Sequence, residues 1–330
     1  MRAAFIQTLV ELAGQDSRIV LLTADLGFMA LEPFMEGFPE RFYNVGVAEQ
    51  NMVGVATGLA EAGFIPYIYS IVTFASLRPF EFIRNGPILH QFPVRIVAVG
   101  GGVEYAAAGP THHGLEDVGV MRTQPGIGIA VPADPRQART ALLATWDAPG
   151  PFYYRLGKDD NAQVSGLDGR FRVGRVEVIE HGQDVLILAM GPVAREATVA
   201  ATRLRGHGIR CTVGVVASIN PAPTGDLIEM LAEYPAVVTV EAHNVTGGLG
   251  ALVCEVAAEH GARSRIIRCG MRSTTDGATG SQDFYYRAHG LSADALVQVV
   301  LNIPSIRTAL PNTTQDLPSG AFIHGDTTRE

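Results

Sequence analysis

Lysine is almost missing from this chain of 330 residues: Lys158 is the only one, and arginine supplies the rest of the 25 basic side chains. The bias reads mainly as a mark of GC-rich coding, although guanidinium groups also suit phosphate and carboxylate ligands. With 33 acidic residues the formal charge is −8, and the pI near 5.6 argues against a nucleic-acid or membrane-surface partner. Cysteine is scarce too. Cys211, Cys254 and Cys269 are odd in number and form no CxxC or Cys/His spacing, which excludes a disulfide framework and points to buried thiols in a reducing cytoplasm. No uninterrupted apolar run is long enough to cross a bilayer. The opening MRAAFIQTLVELAG carries Gln7 and Glu11 at helical periodicity and lacks a small-residue cleavage site, unlike a signal peptide. A soluble, cytoplasmic protein is expected.

What is present is core. Hydrophobic residues make up 47% and charged residues 18% of the chain, ample for two packed domains and unlike a disordered composition. Short β-rich runs at 19–25, 66–70, 94–100, 128–131 and 151–155 alternate with helical segments at 49–63, 79–91 and 135–146. Continuous apolar strands separated by helices predict a mostly parallel sheet covered on both faces. A polar, Gly-rich stretch at 159–184 reads as a linker, with room for a small hairpin. A second α/β series follows over 185–305, with strands at 185–191, 211–216, 237–241 and 265–270, helices at 193–207, 224–234 and 248–260, and a last helix ending near Leu301. The fold class is therefore α/β, two doubly wound domains, the first spanning 1–158. The Pro-, Thr- and Gly-rich end, 306–330, is expected to be a flexible tail.

The most informative segment runs from Tyr43 to Gly63, YNVGVAEQNMVGVATGLAEAG. Glu49 stands at the mouth of a helix made of small and apolar residues. No Lys or Arg lies within the segment, so its surroundings are expected to favour a proton on the carboxyl or a hydrogen bond to a neutral partner. Gly54, Gly58 and Ala62 recur every fourth position and leave a smooth stripe for a second helix. An acid at a ligand, on a helix shaped for an interface, suggests a site shared between two chains. In doubly wound sheets ligands bind beyond the carboxyl ends of the strands. Asp25, Phe74, Arg78, His112, His113 and Arg155 all fall at such ends.

Here the residues resemble a known family. NVGVAEQNMVGVATGLAEAG, FASLRPFEFIRN, GPTHHGLEDVGVMRTQPGI and VPADP look like the pyrimidine-binding half of transketolases, and VEAHNVTGGLGALVCEV looks like their C-terminal domain. The likeness covers roughly residues 1–305. It implies thiamine diphosphate as cofactor, with Glu49 hydrogen-bonded to the pyrimidine ring. Such a carboxyl stabilises the imino tautomer, whose exocyclic nitrogen takes the proton from the thiazolium C2. Phe74 matches the aromatic stacked on that pyrimidine, and Asp25 and Leu26 match a segment lying against the cofactor. His112 matches the histidine at the reacting part of the donor and shuttles protons there. His113 is a further substrate contact, where the family often has Gln. Arg155 matches an arginine for the substrate's anionic end, and Arg78 is a second candidate for the same anion. Glu241 and His243 fall in the domain that serves dimer contacts, and are read as structural. No metal ligands are expected in this chain.

Two departures shape the reading. Up to Leu310 there is no Gly-Asp-Gly segment of the kind with which the family's N-terminal domain holds Mg²⁺ and diphosphate. The chain thus resembles the second subunit of a split transketolase, needing an N-terminal-type partner that holds the metal, in an α2β2 heterotetramer. Gly100 and Ala108 stand where sugar-phosphate transketolases have a phosphate-binding histidine and an acidic residue, so a less hydroxylated or less phosphorylated donor is expected, as in a specialised or secondary pathway. The activity implied is transfer of a two-carbon ketol or acyl unit from a ketose or 2-oxo acid to an aldehyde. The alternatives are the β subunit of a 2-oxo acid or acetoin dehydrogenase and a non-catalytic scaffold paralogue.

Overall fold

The computed structural model describes residues 1–272 and 279–307. The first sheet contains β1 (Ile19–Thr23), β2 (Phe42–Asn44), β3 (Ile65–Ile71), β4 (Arg95–Val99), β5 (Gly128–Ala130) and β6 (Phe152–Leu156). The second contains β7 (Glu177–Glu180), β8 (Val185–Met190), β9 (Cys211–Val215), β11 (Ala236–Asn244) and β12 (Arg265–Met271), whereas β10 (Ser218–Asn220) crosses back to edge the first. The strand orders are β10-β5-β6-β4-β3-β1-β2 and β12-β11-β8-β9-β7. Both sheets are parallel apart from one antiparallel edge each: β10 on β5, with Ser218 opposite Ala130, and β7 on β9. The fold is the expected pair of α/β layers. β1, β3, β4 and β6 are buried along their whole length, which is why they read as continuous apolar runs rather than as alternation.

Local signals set the helices. In VPADP, Asp134 caps the helix Pro135–Thr145 by accepting from the Gln137 amide at 2.8 Å, with Pro135 in the first turn where its missing N–H costs nothing. The helix Arg2–Gln15 buries Phe5, Ile6, Leu9, Leu12 and Ala13 on one face, against Tyr154 of β6 among others.

Several expectations need correction. The helix expected over 79–91 forms over 80–90 but is irregular: Phe80–Ile83 leads into Arg84–Ile88, which widens into a π turn around Pro87, because proline has no N–H for a regular ladder. The second sheet begins inside the stretch read as linker, at β7, whose partner is β9 rather than a neighbouring hairpin strand. The expected tail begins inside a helical turn, Pro304–Arg307, and 308–330 lie outside the described residues.

Candidate active site

The chain leaves β1 for β2 on one side and returns to β3 on the other, and in such sheets ligands bind beyond the carboxyl ends of the strands at that point. β1 ends in Thr23, whose hydroxyl donates to the Leu26 carbonyl at 2.7 Å and accepts from the Leu26 amide at 3.2 Å, folding Asp25 and Leu26 over the strand end. Asp25 sits at φ 57°. Its carboxylate accepts from Asn44 Nδ2 at 2.9 Å, and its amide donates to Asn44 Oδ1 at 3.0 Å. It pairs with the end of β2 rather than capping a helix.

Glu49 opens the helix Glu49–Glu61 and is fully buried. One oxygen accepts from the Ser70 hydroxyl of β3 at 3.3 Å; the other takes Arg78 Nη1 at 2.6 Å. The neutral partner expected from the local sequence is thus joined by a cation, which enters from the turn after the short helix Val72–Ser76, 29 residues away. The Arg78 guanidinium also lies over the Phe74 ring, 4.3 Å from its centroid. Phe74 meets His112 edge-on at 5.2 Å between ring centroids, and Tyr105 lies 6.2 Å from the same imidazole. His112 Nδ1 is 2.9 Å from the Thr111 hydroxyl. Tyr105 in turn carries the Lys158 ammonium 3.9 Å above its ring. Glu49, Arg78, Phe74, His112, Tyr105 and Lys158 form one contiguous line of contacts.

The other expected members lie elsewhere. His113 is buried and turned away, its ring 5.1 Å from Tyr285 in the C-terminal half and Nε2 3.5 Å from the Ala106 carbonyl. Arg155 is enclosed within β6 at 2% exposure. Its Nε donates to Asp117 at 2.9 Å and its Nη2 to the carbonyls of Gly114 and Ala242 at 2.6 and 3.0 Å. Burial works against its charge, but Asp117 beside it holds the guanidinium pKa above its ordinary value. This arginine stands inside the protein, away from the crest.

Lys158, two residues past the end of β6, supplies a second cation at the far end of this line of contacts. Burial lowers the pKa of its ammonium, Glu104 opposes that shift and Arg2 adds to it. Arg2 has a buried Nε–H without an acceptor among the described residues, so two cations lie within electrostatic reach beside Tyr105. Glu104 accepts from the Lys158 amide at 2.6 Å, and burial pushes its carboxyl up to about 7 despite that bond. Sequence reasoning missed Arg2, Tyr105 and Lys158. The solitary lysine was itself the available signal.

Glu241 and His243 serve the seam between the domains. Fully buried Glu241 accepts from the amides of Leu249 and Gly250 at 2.7 and 2.8 Å, neutralising the start of the helix Leu249–Glu259. Burial raises its carboxyl to about 7 and lowers the His243 imidazole to about 4. His243 Nε2 accepts from the Gly119 amide at 3.3 Å. Among the described residues no group of three or more His, Cys, Asp or Glu side chains is placed to hold a metal ion, and no helix is long and apolar enough to cross a membrane.

Comparison with known proteins gives this geometry its context. Residues 1–162 match the transketolase pyrimidine-binding domain and residues 174–296 the transketolase C-terminal domain. A subunit of an apulose-4-phosphate transketolase, from Phocaeicola vulgatus, is 37% identical over 81% of this chain and 86% of its own length. A 6-deoxy-6-sulfo-D-fructose transketolase subunit from Clostridium sp. is 34% identical over 90% of this chain and 92% of its own. Among solved structures, a split-gene transketolase described as an inactive β4 tetramer superposes with a TM-score of 0.84 at 36% identity, over 92% of this chain and 98% of that one.

Proposed function

The chain belongs to the transketolase family, and from that premise we propose that it is the pyrimidine-side subunit of a two-chain transferase. It moves a two-carbon ketol or acyl unit from a ketose or 2-oxo acid donor to an aldehyde acceptor. The observation that carries the reading is the clamp on Arg78: a buried carboxylate, Glu49, and an aromatic face, Phe74, together hold a planar nitrogen cation. An aminopyrimidine offers the same features, a flat ring with nitrogen donors at its edge, so the residues fit thiamine diphosphate with the guanidinium as stand-in. When bound, that cofactor supplies a nucleophilic carbon and an electron sink for breaking and forming a carbon–carbon bond.

This chain's residues do the rest. Glu49, desolvated behind Ser70, holds the proton at the ring nitrogen. Phe74 fixes the ring's plane, and the folded segment at Asp25 and Leu26 bounds it. Arg78, with a third of its side chain in solvent, yields the carboxylate and becomes available to an anion. His112, in contact with Phe74, moves protons at the donor. His113 supports the loop from beneath, and Arg155 holds its base. Lys158 and Arg2 receive an anionic end of the substrate, in place of the polar side chains lost at Gly100 and Ala108. Two relatives whose names specify a phosphorylated and a sulfonated sugar accord with that.

The diphosphate and a divalent ion such as Mg²⁺ belong to an N-terminal-type partner subunit, in an α2β2 assembly. Relatives that are themselves named as single subunits of transketolases support the division, as does the β4 tetramer described as inactive. So does the uncovered stripe on the Glu49–Glu61 helix, where a Cβ at Gly54 or Gly58 would meet nothing within 4 Å among the described residues. Three free cysteines accord with a cytoplasmic location. The test is Glu49→Gln in the assembled enzyme. Turnover is expected to fall on the order of 10²–10⁴-fold; turnover near wild type overturns the proposal.

A further inference from the structure

The loop that carries His112 is closed at its neck, and at that neck one buried side chain bridges to the other domain. Gly102 and Gly114 exchange both backbone hydrogen bonds, each at 2.8 Å, so residues 102–114 leave and re-enter the fold at one point. Arg155 lies against that neck. Its Nη2 is shared between the carbonyl of Gly114, at the neck, and the carbonyl of Ala242, on β11 of the second sheet. Its Nε holds Asp117, at the start of the next helix, and Asp117 also accepts from the Tyr153 hydroxyl at 2.7 Å. The packing leaves no slack. A Cβ on Gly101 would lie 2.6 Å from the guanidinium carbon, one on Gly102 2.8 Å from the Ala242 oxygen, and one on Gly114 2.0 Å from a Val72 methyl. The Asn244 amide donates to the Leu115 carbonyl at 2.9 Å beside it, so both ends of the crossing are pinned.

We propose that Arg155 is a positioning residue that ties the placement of His112 to the C-terminal domain, acting through the Gly102–Gly114 neck. A planar guanidinium with diverging N–H groups reaches Gly114, Ala242 and Asp117 at once; an ammonium satisfies the charge of Asp117 but cannot span both carbonyls. The C-terminal domain then contributes to the reaction without touching substrate, by fixing the register of the loop on which the imidazole stands. A displacement of about 1 Å at such a group is enough to cost on the order of 10²-fold in rate. The proposal rests on the reading of His112 as the substrate-facing histidine, but its structural half stands independently of that reading.

The test compares Arg155→Lys with Arg95→Lys in the full chain. Arg95 is an equally buried arginine whose guanidinium serves the carbonyls of Trp146, Ala148 and Gly150, at the opposite end of the strands. Amide exchange at Gly102 and Gly114 is expected to quicken at least tenfold in Arg155→Lys and to stay unchanged in Arg95→Lys. With the partner subunit and thiamine diphosphate, Arg155→Lys is expected to lower kcat at least tenfold with KM within twofold, and Arg95→Lys to leave both unchanged. Unchanged exchange at the neck in folded Arg155→Lys overturns the proposal. Altered exchange with unaltered kcat confines the tether to structure and overturns the positioning role. Should neither mixture turn over, even with wild type, the functional reading fails while the exchange arm still decides the tether. If Arg155→Lys does not fold, native-state exchange of wild type in rising urea replaces it. Gly102, Gly114 and Asn244 are then expected to open as one unit, and separate openings contradict the tether.

Discussion

Glu49 is held ready by groups that its own segment does not reveal. Its carboxylate is buried, and the cation on it comes from the turn after the short helix Val72–Ser76. Removing one partner of such a pair strands the other, and the half-exposed Arg78 moderates the loss. Arg78→Met is therefore expected to lower the stability of the ligand-free chain by about 1–3 kcal/mol, seen as a lower Tm, and by less in the cofactor-loaded assembly. Glu104 gives a prediction with a pH sign. Its folded-state carboxyl lies at about 7 against an ordinary 4.5, so the fold holds a proton that the unfolded chain has lost. That contribution is full below about 4.5 and fades as pH rises through 7, about 3 kcal/mol at most. Between pH 5 and 8, Glu104→Gln is expected to lose less Tm than wild type; an equal loss in both contradicts the assignment. That Glu49, Phe74 and His112 lie in one line of contacts was legible because their surrounding text is distinctive. Arg155 was expected at the end of a strand and the structure encloses it instead, for a physical reason. β6 runs to Leu156 and lies between β5 and β4, so Arg155 is inside a central strand and Lys158 is the first cation past its end.

Elements were legible in proportion to their burial. The long strands declare themselves by apolar continuity. The short ones, Phe42–Asn44, Glu177–Glu180 and Ser218–Asn220, hold only edge positions fixed by tertiary pairing, and nothing in three or four residues distinguishes them from loop. The Pro87 interruption was readable in principle, since proline inside a helical pattern breaks the ladder. The helix Glu49–Glu61 carries the clearest element-level prediction. Gly58 is exposed, and a Cβ there meets nothing within 4 Å among the described residues. Gly58→Ala is expected to stabilise the isolated chain by about 0.5–1 kcal/mol through helix propensity. If a partner helix lies on the stripe, the same methyl weakens assembly, seen as a higher concentration at half-association. A stabilised chain with undiminished association removes the stripe from the interface.

At the scale of the molecule, two α/β domains are joined by a polar seam rather than by a loose tether. Arg155 and Gly119 of the first domain meet Ala242 and His243 of the second, Asp117 holds Arg155 in place, and β10 from the C-terminal half completes the first sheet. This seam was invisible in the sequence, because Asp117, Arg155 and His243 are far apart in the chain and no local pattern links them. It gives the second domain a mechanical part in the site, whereas the crest itself offers a carboxylate, an aromatic face, an imidazole and cations but, among the described residues, no metal-holding cluster. The division of labour between two chains is thus the central claim, and calorimetric titration tests it most directly. Thiamine diphosphate with Mg²⁺ is titrated into this chain alone, then into its mixture with the diphosphate-holding subunit, with turnover followed in both. The account predicts neither saturable tight binding nor turnover for the chain alone, and both on mixing. Tight binding together with turnover by the unaided chain would contradict it.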